Sequence, residues 1–347
     1  MDISEARELW SPKFVYLDSA TYGLPPQPGW DALQTALDEW RHGKTRFWTW
    51  DESVVGSRRA FARLVGVPEE WVCISASVSV FAGLIAASLA DGSTVLAPDI
   101  EFTSNLWPWM LHEHRRVTVR TRPCERLSES IDDSIDLVAV SAVQSATGEV
   151  IDLEPVVEVA HAHGAKVFVD ATQACGWLPL DAAHVDYLAC AGYKWLMSPR
   201  GSAFMTVAPE RLDEIRPLLA NWYAGDVVSE SYYGPPVRLA SSARRLDLSP
   251  AWFSWVGTQP ALELIQEIGV EQIHAHNVDL ANRFRLGLGL AESNSAIVTV
   301  DAPEAAERLD RAGVQASVRA SQLRASFHVY NDQSDVDAAL EALADGR

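Results

Sequence analysis

Residues 167–194 contain two apolar runs that each stop at a charge. Val167-Phe168-Val169 ends in Asp170, and Tyr187 to Ala191 is followed by Lys194. Runs this short and this apolar have the length of strands buried on both faces, which belong to parallel sheets covered by helices. In open sheets of that type, ligands bind beyond the carboxyl ends of the strands. The chain is therefore expected to bring one carboxylate and one amine to the same rim.

The pattern repeats along the chain. Trp71 to Ile74, Thr94 to Ala97, Leu137 to Val140, Lys166 to Val169, Tyr187 to Ala191 and Gly201 to Val207 read as strands. Helical patterning covers 31–65 and Leu153 to His163, and SASVSVFAGLIAASLA turns from a strand into an apolar helix. Strands spaced by helices predict an α/β fold with a mainly parallel, doubly wound sheet. The character changes near residue 208. Residues 216–250 are loop-rich, with Gly225, Gly234, Pro235 and Pro236. Helices over Pro260 to Glu267, Glu271 to Leu290, Ala302 to Ala312 and from Ser334 then alternate with strands at Ile297 to Val300 and Arg324 to Val329. The expected division is an N-terminal arm over 1–30, a large domain over 31–240 and a small C-terminal α+β domain over 241–347. The arm carries a short strand at Phe14 to Asp18 and the loop GLPPQPG.

Charge narrows the partners. Lys+Arg 28 against Asp+Glu 47 gives −19, which argues against nucleic acid or an anionic membrane. A small-molecule anion site would have to be a local gathering of Arg and Lys. Cys73, Cys124, Cys175 and Cys190 form no C-x-x-C pair, so neither a metal site nor a disulfide framework is expected, and the cytoplasm is the expected compartment. The start, MDISEARELW, is too polar for a signal peptide, and the apolar stretch from Val78 to Ala90 is too short and serine-broken to span a membrane. No G-x-G-x-x-G or Walker sequence follows the first strands, which removes support for a plain nucleotide-binding module.

Several positions on this frame invite chemistry. Lys194, in AGYKWLMSPRG, has the place of a solvated strand end. Flanked by Tyr193 and Trp195, it also has the setting of a desolvated amine, whose lowered pKa suits a Schiff base. Asp170 stands where a helix N-cap stands; its other role is to pair with a protonated ring nitrogen. A cofactor with an aldehyde for the lysine and a ring nitrogen for the aspartate is pyridoxal phosphate. Gln173 is either a solvated helix residue or a donor to that cofactor's phenolate oxygen. Phe102, in DIEFTSNLWPW, is either packing or a ring that stacks on the cofactor. Arg324, in QLRASFHVYND, is either an exposed strand residue or a fork for an α-carboxylate. Arg319 is a further anion-binding candidate, with a surface ion pair as its equal alternative. The SASVSV turn offers hydroxyls and backbone N–H groups to a phosphate.

Together, and in this order, these segments resemble the class V aminotransferase family of fold type I pyridoxal-phosphate enzymes. That family also holds cysteine desulfurases, kynureninases and isopenicillin-epimerase-like proteins. The similarity runs from LDSATYGLPP to HVYNDQSDVDAALEAL, and its most specific pieces are VFVDATQACGWLPLD, AGYKWLMSPRG, SATGEVIDL and LRASFHVYNDQSDVD. The resemblance implies a large domain around a seven-stranded-type, mainly parallel sheet. It implies that Lys194 carries the cofactor, Asp170 pairs with its pyridine nitrogen and Gln173 faces its phenolate oxygen. Ala76 and Ser77 match the phosphate-binding turn of the kynureninase-like members, and Tyr193 reaches the same phosphate. Phe102 takes the ring-stacking position and Arg324 the substrate carboxylate. A homodimer is implied too, with Tyr223, Tyr232, Tyr233 and Arg245 as residues that reach the partner's site.

Two departures from the family pattern shape the expectation. Cysteine desulfurases carry a nucleophilic Cys shortly before the position of Arg324, and Gly313 to Leu323 holds none. Many relatives have Asn where this chain has Ser145. The expected function is therefore that of a pyridoxal-phosphate enzyme removing the Cα proton of an amino acid, aminotransferase-like, rather than a persulfide-forming desulfurase. A β-eliminating C–S lyase, a kynureninase-like hydrolase and an epimerase would use the same residues. A non-enzymatic binder would not need Lys194, Asp170 and Arg324 together.

Overall fold

The computed structural model describes residues 1–302 and 304–344. Its centre is a seven-stranded sheet of β1 (Val72–Ser75), β2 (Thr94–Pro98), β3 (Thr118–Arg122), β4 (Leu137–Ser141), β5 (Lys166–Asp170), β6 (Tyr187–Ala191) and β7 (Ala203–Val207). The spatial order is β1-β7-β6-β5-β4-β2-β3. Only β7 runs against its neighbours, β6 and β1. Interior strands β2, β4, β6 and β7 are buried at every position and β5 at all but Lys166, as their apolar runs require. The expected α/β fold, mainly parallel and seven-stranded, is the observed one.

Register sets the site. Ser141 pairs with Asp170, and Asp170 with Ala189. The carboxyl ends of β4, β5 and β6 therefore reach one level, and β1 ends beside the start of β7, with Ser75 opposite Ala203.

Helices cover both faces. Helices α1 (Gln27–Arg41) and α2 (Phe47–Leu64) pack on a long helix further along the chain, α5 (Trp252–Ile268). Helix α3 (Val78–Ser88) follows β1, and α4 (Leu153–Ala162) precedes β5. Phe61 of α2 stacks on Phe204 of β7 at 4.3 Å between ring centroids, and Trp255 of α5 meets Phe204 edge-on at 5.2 Å. A buried ion pair pins the same corner. Arg58 Nη2 lies 2.6 Å from Asp247 Oδ2, while Asp247 Oδ1 accepts the Ile74 N–H of β1 at 2.9 Å.

Three further strands, β8 (Ile297–Val300), β9 (Ser317–Arg319) and β10 (Gln322–Ser326), form an antiparallel sheet ordered β9-β10-β8. Helices α6 (Val270–Gly287) and α7 (Gln333–Ala344) pack on each other beside it. The N-terminal arm lies along this part of the chain. Val15–Tyr16 pairs in parallel with Val314–Gln315, and the Ser326 N–H donates to the Leu17 carbonyl at 2.8 Å. That path carries residues 18–23 to the rim of the large sheet.

Candidate active site

The strand ends and the loops after them enclose a cavity of about 150 Å³. Ala76, Ser77, Phe102, Asp170, Gln173, Tyr193 and Lys194 all line it. A larger hollow of about 670 Å³ opens at the other ends of the strands, beside His161 and Asp186. Among the described residues it is lined by acids, apolar groups and the imidazoles of His161 and His184, with no lysine or arginine, so it offers no amine to a carbonyl.

Asp170 is buried, and Oδ1 accepts the Thr172 N–H at 2.9 Å. No helix follows it: residues 172–177 form turns. The N-cap role is thus replaced by a tight local turn, closed where the Ala191 N–H donates to Thr172 Oγ1 at 3.1 Å. Burial pushes the Asp170 carboxyl above its usual range, with the Thr172 hydrogen bonds and Lys194 pulling the other way. Gln173 is buried rather than solvated. Its Oε1 accepts from Trp195 Nε1 at 2.8 Å, and its Nε2 donates to Ala20 O and Ser145 Oγ, each at 3.0 Å.

Lys194 is buried, and its pKa falls to about 8. Burial is the largest cause, and Arg324 and Arg319 push the same way while Asp170 opposes them. Its Nζ stands 5.4 Å from the Phe102 ring centroid and 5.8 Å from that of Tyr193. The turn after it is tight. Met197 takes φ 53°, its N–H donates to Lys194 O at 3.0 Å, and the Ser198 N–H returns to Gly192 O at 3.1 Å.

Phe102 is 45 % exposed at the cavity mouth, so its ring has an open face. Its backbone is fixed by Glu101, a residue the sequence did not single out. The buried Glu101 carboxylate accepts from the Phe102 N–H at 2.8 Å, the Ser141 N–H at 2.7 Å and Ser141 Oγ at 2.5 Å. Burial raises its pKa.

At another edge of the cavity, α3 begins. No side chain caps it, and Ala76 to Ser79 face the space directly. Arg200 lines the cavity as well, its guanidinium 4.8 Å from the Tyr193 ring centroid.

Arg324 sits behind this cavity and is 1 % exposed, not on the surface. Nη1 donates to Ser145 O at 2.7 Å, and Nη2 donates to Thr21 Oγ1 at 2.7 Å. Asp18 Oδ1 is 3.7 Å from Nη2, and neither Arg324 Nε nor Asp18 Oδ1 has a hydrogen-bond partner among the described residues. Burial lowers the Arg324 pKa to about 10. Ser145 joins the two halves, since it accepts from Arg324 and Gln173 and also lines the cavity.

A family model for aminotransferase class-V matches residues 15–310. The chain belongs to that family. Among its relatives in the family, the uncharacterized aminotransferase YcbU of Bacillus subtilis (strain 168) is 28 % identical over 94 % of this chain and 93 % of its own length. Isopenicillin N epimerase of Streptomyces clavuligerus is 27 % identical over 83 % of each chain. The fold matches that of the cystine C–S lyase C-DES, solved with its product cysteine persulfide, at a TM-score of 0.87 and 21 % identity over 96 % and 98 % of the two chains. Fold type I, expected from the sequence, is the fold of this class-V member, and pyridoxal phosphate is the cofactor of the family.

The residues present fit that cofactor. The uncapped start of α3 leaves backbone N–H groups for a phosphate. Asp170 offers a buried carboxylate and Lys194 a buried amine in one cavity. The unpartnered Arg324 Nε–H, beside Nη2, is one edge of a fork for a carboxylate. Of the residues proposed to reach a second subunit, Tyr223 is buried within its own chain and Arg245 pairs with Asp213 at 2.8 Å. Tyr232 and Tyr233 are exposed. The sequence reading missed Glu101, Asp18, Thr21 and Arg200. Only Arg200, in the turn after Lys194, had a local signal.

Proposed function

We propose that this class-V family member binds pyridoxal phosphate through the residues lining the strand-end cavity and acts on an amino acid. The observation that carries the reading is the shared cavity of Asp170 and Lys194, one buried carboxylate and one buried amine. When bound, the cofactor supplies an aldehyde for an amine and a protonated ring that draws electrons from Cα. Lys194 holds the aldehyde, and its pKa of about 8 leaves part of it neutral and nucleophilic near neutral pH. Asp170 keeps the ring nitrogen protonated, and the ring charge in turn offsets the burial of its carboxylate. The start of α3, with Ala76 and Ser77, holds the phosphate, with Tyr193 and Arg200 beside it. Phe102 covers one ring face, and Glu101 holds Phe102 in place.

Gln173 donates to the phenolate oxygen only by giving up one of its two present acceptors, Ala20 O or Ser145 Oγ. Arg324 takes the substrate α-carboxylate on its Nε and Nη2 edge. With the carboxylate held there, the freed Lys194 amine would be placed to take the Cα proton. Return of that proton to the cofactor's aldehyde carbon would give transamination, and protonation of Cα from the opposite face would give epimerisation; loss of a β-substituent would give elimination, and Cβ–Cγ cleavage with water would give hydrolysis. Gly313 to Leu323 carries no cysteine, which favours chemistry without an enzyme-bound persulfide.

We also place the protein in the cytoplasm, as a homodimer. Four cysteines, all free and buried, support a reducing compartment. No helix among the described residues is long and apolar enough to cross a membrane. Exposed apolar side chains in the segment that follows Phe102, Trp107 and Leu111 among them, support a covered face. The division into arm, large domain and small domain is a proposal that limited proteolysis tests. The reaction is tested by incubating the cofactor-loaded protein with single amino acids and following keto-acid acceptor turnover, pyruvate, ammonia and loss of optical activity together. Aminotransferase-like turnover is expected; no product and no Cα-proton exchange with any amino acid would overturn the reading.

A further inference from the structure

Arg319 and Arg324 donate to the same oxygen. Strands β9 and β10 form a hairpin with a two-residue turn, Ala320-Ser321, between the paired Arg319 and Gln322. Both turn residues have positive φ, 47° and 62°, a conformation that side-chain-bearing residues rarely adopt. From this hairpin, Arg319 Nη2 reaches Thr21 Oγ1 at 3.1 Å, and Arg324 Nη2 reaches it at 2.7 Å.

Two guanidinium groups thus share one neutral hydroxyl, and both acceptor sites of that oxygen are used. The charges are poorly answered. Asp18 stands 3.7 Å from Arg324. Among the described residues, no carboxylate comes within 4.0 Å of Arg319. The notch lies in a chain of net charge −19, so its positive sign is local and specific. Arg324 alone offers a two-point edge, Nε and Nη2, to one carboxylate. Arg319 is then left over, exposed and pointing at the same place from the outer side.

We propose that the substrate carries two anionic groups, an α-carboxylate held by Arg324 and a side-chain anion held by Arg319. Because both guanidinium groups reach one atom, the two anions are joined by a short chain. The ligand class is a dicarboxylic amino acid with one or two methylenes in its side chain. The inference rests on the reading of the site given above.

The test is calorimetric titration of the cofactor-loaded protein with succinate, glutarate and butyrate, in wild type and in Arg319→Ala. Arg319 is exposed, so the substitution leaves the core untouched. The expected result is about a tenfold tighter fit for the dicarboxylates than for butyrate, the worth of one added charge-assisted hydrogen bond. Arg319→Ala should bring the dicarboxylates to the butyrate level and leave butyrate unchanged. Arg319→Lys should keep part of the preference. Equal weakening of all three ligands would place Arg319 on the single α-carboxylate and overturn the proposal, as would a wild type without the preference. A protein that takes up no pyridoxal phosphate would fail the cofactor reading alone, because the same titration of the apoprotein still reads the two arginines.

Discussion

Gly23 lies directly against the main chain of Lys194. Its N–H donates to the Tyr193 carbonyl at 2.9 Å, and a Cβ at Gly23 would stand 2.0 Å from the Lys194 carbonyl oxygen. A loop from the N-terminal arm therefore sets the position of an amine on the far side of the sheet sequence. Gly23→Ala must displace one backbone or the other. We expect roughly a hundredfold loss of kcat/KM, the effect of a misplacement near 1 Å. Unchanged kinetics would show that the arm gives Lys194 no support.

Lys194 makes the apoprotein less stable. Its folded pKa of about 8 lies below the usual 10.5. Between those two values the unfolded chain holds the proton that the folded chain has lost. Stability from this group therefore rises as pH goes from 8 to 10.5, and the full penalty applies below 8. Lys194→Met should stabilise the apoprotein at pH 7 by about 1–3 kcal/mol. It should also flatten the rise of wild-type stability above pH 8. Urea unfolding across that range checks both, and parallel curves for the two proteins would refute the buried, proton-shedding lysine.

Asp247 holds a corner of the scaffold. It answers the buried Arg58 and accepts the Ile74 N–H at the strand that leads to Ser77. Asp247→Ala strands a buried guanidinium and a backbone donor. The expected loss is about 3–5 kcal/mol in denaturant unfolding. A loss under about 1 kcal/mol would mean that the pair is solvated and contributes no more than a surface bridge.

Arg324 has its fork fixed by Ser145 and Thr21. Arg324→Ala should weaken any α-carboxylate substrate by about 2–5 kcal/mol, read as a rise in KM. Arg324→Lys should recover little, because one ammonium cannot meet the carboxylate at two points. An unchanged KM in either variant would remove Arg324 from carboxylate binding.

How much of this was legible in the sequence follows from how local each signal is. Asp170 and Lys194 end apolar strands, so composition alone placed them on a rim. Arg324 came from an alternating segment and a family pattern. Glu101 gave no signal because its partner Ser141 belongs to a strand that only sheet order brings beside it. Asp18 and Thr21 depend on an arm that returns across the whole chain. Strand β3, TVRTR, is polar and mostly exposed, and only its pairing with Thr94–Pro98 makes it a strand. Helix α1 begins inside the GLPPQPG loop because a proline is tolerated in a first turn. Helix α5 begins at Trp252 and continues through Pro260, well before the expected start.

The central claim is that Lys194 binds the cofactor covalently. The direct measurement is borohydride reduction of the protein loaded with pyridoxal phosphate, followed by peptide mass mapping. Covalent binding at Lys194 predicts one reduced pyridoxyl-phosphate adduct, on Lys194, and none in Lys194→Ala treated the same way. An adduct on another lysine with Lys194 unmodified, or a protein that never takes up the chromophore, would contradict it.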